Sequence, residues 1–171
     1  MMADVIIHFL ELVYANLERE REHDNDMPAP ITENAYEHST RWQNDNYEPV
    51  TDGFARDDTP QNDIREIFRK GWTASEKGAS ITFEVEGSCL AVQYRKSVVQ
   101  PTPIAKAIVD GDEEHAMILD GNFEENWGDS LHLDTLAEHL PYGKHTVRIE
   151  LVETHENDKV PFYLVSIIAS H

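Results

Sequence analysis

Cysteine occurs once in the 171 residues, at Cys89, so no intrachain disulfide can form. An alternating apolar stretch surrounds it, which reads as a small buried hydrophobe compatible with a reducing compartment such as the cytoplasm. Basic residues are also scarce. Fourteen Lys and Arg stand against 33 Asp and Glu, a formal net charge of −19. That field repels nucleic acid and anionic membrane surfaces, so neither is expected as a partner. No stretch approaches the roughly 20 apolar residues that span a bilayer. The first residues, Met1-Met2-Ala3-Asp4, carry no basic n-region of a signal peptide, and Glu11 interrupts the apolar run behind them. Internal repeats are missing as well. What remains is one ordinary domain with a core, plus a short appendage.

The appendage comes first. Residues 3–20 read as a helix that Asp4 can cap, with Val5, Ile6, Ile7, Phe9, Leu10, Leu12, Val13, Tyr14 and Leu17 covering most of its circumference. A helix apolar on nearly all sides belongs against a partner surface. Residues 22–33, with His-Asp-Asn-Asp and then Met-Pro-Ala-Pro, read as an exposed linker, bounded for domain purposes at 22–35. Residues 36–70 are polar and rich in turns, with Ile64, Ile67 and Phe68 suggesting a short helical turn or an edge strand. The texture changes from Gly71. Residues 79–86 alternate strictly, with Ile81, Phe83 and Val85 on one face, and Leu90, Val92 and Tyr94 repeat the pattern. Further strands are expected at 105–111, 116–119, 145–151 and 162–169. A short helix capped by Asp129 or Ser130 is expected near 131–139, through Leu131, Leu133, Leu136 and Ala137. Short strands between Gly, Asp and Pro turns, without a βαβ rhythm, predict an antiparallel, jelly-roll-like β-sandwich over 36–171.

Two stretches carry a family resemblance. Residues 3–14 resemble the closing helix of an SGNH/GDSL-type hydrolase catalytic domain. Gly71-Trp72, Lys77 to Phe83, Val109-Asp110-Gly111, Trp127, Gly143 to Val147 and Pro161-Phe162 resemble the jelly-roll accessory domain attached to many bacterial members. The resemblance implies that residues 1–21 are left over from an upstream catalytic domain. It also implies a sandwich that recognises carbohydrate or shapes the substrate site, and a structural part for Lys144-His145 in ordering a hairpin. The resemblance further implies that the family's catalytic Asp and His, carried on the loop before that helix, have no counterpart in this chain.

Gly128-Asp129-Ser130-Leu131 spells the family's four-letter name, yet no buried strand precedes it and the Gly-x-Asn-Asp oxyanion signature is missing. The Asp-x-x-His spacing occurs at Asp112 and His115 and at Asp129 and His132, in the wrong order relative to Ser130. Ser130 is therefore expected to be a decoy, with a self-contained ester hydrolase as the rival reading and a structural or oligomerisation module as another. His132 and His139, with Asp134 or Glu138, can approach a metal from one helix face. Lacking defined third and fourth ligands, they read as solvated histidines, and no metal or cofactor is expected. The acidic loops 110–114 and 120–125 lack the spacing of a calcium loop. Trp42, Trp72 and Trp127 all sit beside turn signals, where a ring either stacks on a sugar or plugs an end of the sandwich. Trp72, flanked by Gly71 and the 81–83 strand, reads as a plug; Trp127 stays open between the two. The helix at 3–20 also makes a homo-oligomer an expectation.

Overall fold

The computed structural model describes residues 2–16, 34 and 36–171, which fall into two units, Met1–Glu33 and Asn34–His171. The first unit contains α1, Met2–Asn16. No Pro or Gly interrupts it, and Asp4 lies inside its first turn, where a carboxylate suits the positive end of the helix dipole. Its apolar side chains, Val5, Ile6, Ile7, Phe9, Leu10, Leu12, Val13 and Tyr14, are exposed. The expected continuation to residue 20 and the linker at 22–33 lie outside the described residues.

The second unit is an antiparallel two-sheet sandwich of jelly-roll type. Its strands are β1 (Ser39–Trp42), β2 (Val50–Asp52), β3 (Ala55–Asp57), β4 (Gly71–Ala74), β5 (Ser80–Gly87), β6 (Cys89–Lys96), β7 (Ile104–Val109), β8 (Met117–Asp120), β9 (Ser130–Ala137), β10 (Gly143–Glu153) and β11 (Phe162–Ser170). One sheet runs β3-β4-β11-β6-β9, with β1 also paired to β11, and the other runs β2-β5-β10-β7-β8. From β4 onward most connections cross between the sheets, so consecutive strands supply opposite halves of one core.

Alternation builds that core. Ile81, Phe83 and Val85 of β5 and Val147, Ile149 and Leu151 of β10 face Leu90, Val92 and Tyr94 of β6 across the sandwich. On β11 a bulge between Leu164 and Ser166 shifts the phase, so Phe162 and Leu164, then Ile167 and Ala169, all point inward. Each large side chain buried here is worth about 1.5–3 kcal/mol relative to water. Cys89 is buried, as its neighbourhood suggested.

Trp72 of β4 lies inside this core, its ring edge-on to Phe83 at 5.2 Å. Gly71, just before it, is required: a side chain there would collide with the Tyr163 ring and the Leu164 carbonyl. The expected turn at 64–68 is a 3₁₀ helix, Asp63–Phe68, which drops Phe68 onto Tyr163, Val165 and Leu131 on the outer face of the β11-containing sheet.

The helix expected at 131–139 is instead strand β9. Leu131 and Leu133 follow a two-residue period, and the spacing changes where residues 135 and 137 pair with Ala91 and Leu90, leaving Leu136 as the extra residue of a bulge. That bulge turns a strand pattern into one that imitates a helix. Asp129 and Ser130 accordingly cap no helix. Strands β1, β2 and β3 within 36–70 are only three or four residues long and mostly exposed, so no alternation marks them.

Candidate functional site

Ser130 opens β9 opposite Lys96. The aspartate beside it is held in place structurally: Asp129 Oδ1 accepts hydrogen bonds from Ser97 Oγ at 2.8 Å and from the Val98 amide at 3.0 Å. Arg95 Nε lies 3.8 Å from its other oxygen, and that guanidinium sits over the Tyr163 ring while donating to the Pro161 carbonyl. The Gly-Asp-Ser-Leu string is thus a strand entry tied to the end of β6. Among the described residues the histidines with carboxylate partners are engaged elsewhere: His8 with Glu11, His115 with Asp112, His132 with Asp134, His145 with Asp110, and His155 with Asp158 and Glu153. None of these is hydrogen-bonded to Ser130, so among the described residues no histidine is placed to serve it as a base.

The same loop contributes to an apolar groove. Trp127 is 69% exposed, and Phe123 props its ring edge-on at 5.5 Å. Across from it stand Ile64 and Ile67 of the 3₁₀ turn, with Phe68 and Leu131 below, around a space of about 460 Å³. Asp63, at φ 53°, and Arg65 lie on the rim. A propped indole facing exposed isoleucines leaves a large apolar area in water, the arrangement that a flat ligand face covers. Carboxylate and guanidinium groups nearby can hydrogen-bond hydroxyls at its border.

The other two candidate tryptophans lie elsewhere. Trp72 is 3% exposed. Trp42, at the end of β1, packs against the core beside Tyr47 at 5.4 Å, and its buried Nε1 finds no hydrogen-bond partner among the described residues. Of the three, Trp127 is the exposed one, Trp42 is partly buried and Trp72 is buried.

The metal candidates lose their geometry with the helix. His132 lies on β9, whereas His139 lies beyond its end at φ 59°, so the two share no helix face. No group of three or more His, Cys, Asp or Glu is arranged for a metal among the described residues. Both acidic loops use their carboxylates locally. Asp120 Oδ1 accepts from the Asn122 amide and side chain, which makes a tight turn.

Asp110, at φ 50° before Gly111 at φ 75°, occupies a turn both residues must enter left-handed, and its carboxylate receives His145 Nδ1 at 2.7 Å and the Thr146 amide at 2.8 Å. His145 is 9% exposed, and its Nε2 lies 2.9 Å from the Pro141 carbonyl. Both ring nitrogens face acceptors, so the imidazolium fits best. The hydrogen bond to Asp110 raises the His145 pKa above 6.5 despite burial. Burial works against the Asp110 charge, but the His145 and Thr146 bonds outweigh it and hold that carboxyl below 3.8.

A raised histidine stabilises the fold fully below its unfolded value and ceases to as pH climbs through its folded value; the lowered carboxyl does the reverse in acid. The thermal midpoint should therefore be highest between about pH 4 and 6.5 and decline above that. In His145→Gln the decline on the alkaline side should flatten, as read by melts from pH 5 to 8.5. An unchanged slope would assign the pH dependence to other groups.

Comparison with known proteins adds context to this geometry. Neither a protein-family model nor a curated protein matches the sequence. Among solved structures, the chain is similar to a two-domain esterase active on acetylated mannans. The similarity is 53% identity at a TM-score of 0.85, and 54% at 0.83 for the crystal form with mannopentaose. The match covers 98% of this chain and 44–45% of that one, so the chain spans less than half the length of the esterase. Since 2% of 171 residues is about three, the match runs through α1 as well. At 14% identity and a TM-score of 0.50, the chain also shares its fold with 28% of the GH26-CBM35 β-(1,4)-mannanase of Podospora anserina. No described helix is long and apolar enough to cross a membrane.

Proposed function

We propose that the chain is the C-terminal accessory module of an SGNH-type esterase acting on acylated carbohydrate, and that it recognises the glycan at the Trp127 groove without performing the ester chemistry. The observation that carries this reading is 54% identity, over nearly the whole chain, to part of a two-domain esterase. In this reading residues 1–21 close the upstream catalytic domain, residues 22–35 link it to the module, and residues 36–171 hold the sugar. Mannan-type chains are the substrate class that the similarity favours. The supporting geometry is the propped, exposed indole, together with a Ser130 that opens a strand and has no histidine hydrogen-bonded to it among the described residues. A role in assembly has one observation in its favour, the apolar circumference of α1.

Calorimetric titration with mannopentaose tests the module. Loss of one stacking ring, worth about 1 kcal/mol or more, should weaken binding at least about fivefold in Trp127→Ala. Unchanged affinity would place the sugar elsewhere. The wild-type chain should show no turnover of p-nitrophenyl acetate; turnover that disappears in Ser130→Ala would overturn the accessory reading in favour of a self-contained hydrolase.

A further inference from the structure

The two edges of the sandwich are closed differently. Along the β2 and β3 edge, aromatic rings seal the core: Tyr47 stacks on Phe83 at 5.5 Å, and Trp42 packs beside it. Along the β8 and β9 edge there is no such plug among the described residues. Val109, Met117, Leu136 and Leu140 pack against the core yet stay partly exposed. The small side chains of Ala107 and Ala137 leave a hollow of about 190 Å³ between the sheets. An apolar cavity of about 150 Å³ holds a benzene molecule, so this hollow has room for a small acyl group and the edge of the ring that carries it.

The mouth selects among such groups. Asp110 is engaged by His145 and Thr146. Asp112 accepts from the Glu114 and His115 amides through one oxygen and faces His115 Nδ1 at 2.8 Å through the other. The His115 bond holds the Asp112 carboxyl below its ordinary range, so it is ionised and calls for a proton on Nδ1. That orientation leaves His115 Nε2 on the rim as the nitrogen without a hydrogen-bond partner among the described residues, able in the neutral ring to accept from a sugar hydroxyl. Two carboxylates beside the opening, in a chain of net charge −19, repel an anion. A neutral ester enters on better terms than the free acid its hydrolysis releases.

Resting on the glycan-recognition reading above, we infer that the hollow between β7–β8 and β9 is a second subsite that takes the O-acyl group of a decorated sugar. The acyl methyl lies against Met117 and Leu136, and a neighbouring hydroxyl meets His115 Nε2. The site distinguishes acylated from bare glycan and ester from released acid.

Titration of the full chain, followed by amide NMR shifts, uses three probes: an O-acetylated mannotriose, its deacetylated parent and sodium acetate. The acetylated sugar should bind at least about fourfold more tightly, the worth of one buried methyl. Acetate should leave the signals of Met117 and Leu136 unmoved. Ala137→Leu fills the hollow and should erase the acetyl advantage while the parent sugar binds as before. Met117→Ala, which removes a wall without crowding the core, should reduce the same advantage and guards against misfolding of the first variant. Trp127→Ala should weaken both sugars equally. Equal affinity of wild type for the two sugars, an advantage that survives both hollow variants, or acetate binding as tightly as the ester would overturn the subsite and leave the Trp127 reading standing. Failure of both sugars to bind would overturn both.

Discussion

Replacing Phe83 by alanine should lower the thermal midpoint by roughly 10 °C or more, the largest stability loss expected from a single side chain here. Phe83 has no exposed surface, stacks on Tyr47 and meets Trp72 edge-on, so one ring joins the β5 sheet, the edge plug and the opposite sheet. Deleting a core phenyl costs about 3–5 kcal/mol, because the lost transfer energy is compounded by an unfilled cavity. Total stability of a domain is about 5–15 kcal/mol, and each kcal/mol shifts the midpoint of a chain this size by about 2–4 °C or more. Near-ultraviolet circular dichroism during a melt reads the effect directly, since Trp72 loses its neighbour. Ile64→Ala is the control: at 87% exposure its loss should leave the midpoint almost unmoved. A fall of less than about 3 °C in Phe83→Ala would mean that the rings around it close up and that the core is not organised about this residue.

The difference between Phe83 and Ile64 also marks what the sequence made legible. Phe83 sits in a strict alternation with Ile81 and Val85, and that period specifies both a strand and its buried face. The strands β5, β6 and β10 were readable in the same way, and β11 as a short apolar run that both faces bury. Strand β9 was not, because its bulge at Leu136 breaks the period at the point where a helix would also place an apolar residue. The three tryptophans show a second limit. All lie near turns, and although the neighbours of Trp72 marked it as a plug, nothing local decided whether Trp127 faces solvent, because that depends on what packs behind the ring. The groove is tertiary altogether: Ile64 and Trp127 are 63 positions apart in the chain and share a wall only because Phe68 anchors the 3₁₀ turn beside Leu131. A phenylalanine ending a polar stretch was the one available signal. The hollow at the opposite edge depends on what Ala107 and Ala137 fail to fill, and an alanine in a strand gives no warning of that.

Removing residues 1–29 should convert a self-associating chain into a monomer. Eight apolar side chains of α1 are exposed, and each large one left in water forgoes about 1.5–3 kcal/mol. Val5, Phe9 and Leu12 lie toward one side, while Ile6, Leu10, Val13 and Tyr14 lie toward another, so a single docking face leaves part of the helix uncovered. The similar esterase is more than twice as long and matches through this segment, which fits a helix made to pack against another domain. Where no such domain covers the helix, a second copy offers the same apolar chemistry. Charge opposes the pairing, since each copy carries −19, and salt shortens the reach of that repulsion from roughly 30 Å at 0.01 M to about 3 Å at 1 M. Light scattering should therefore show a mass that rises with protein concentration and rises further with salt for the intact chain, while a chain beginning at Pro30 stays monomeric under both conditions. If the two chains are monomeric throughout and melt at the same temperature, α1 forms no interface and its apolar circumference has some other origin.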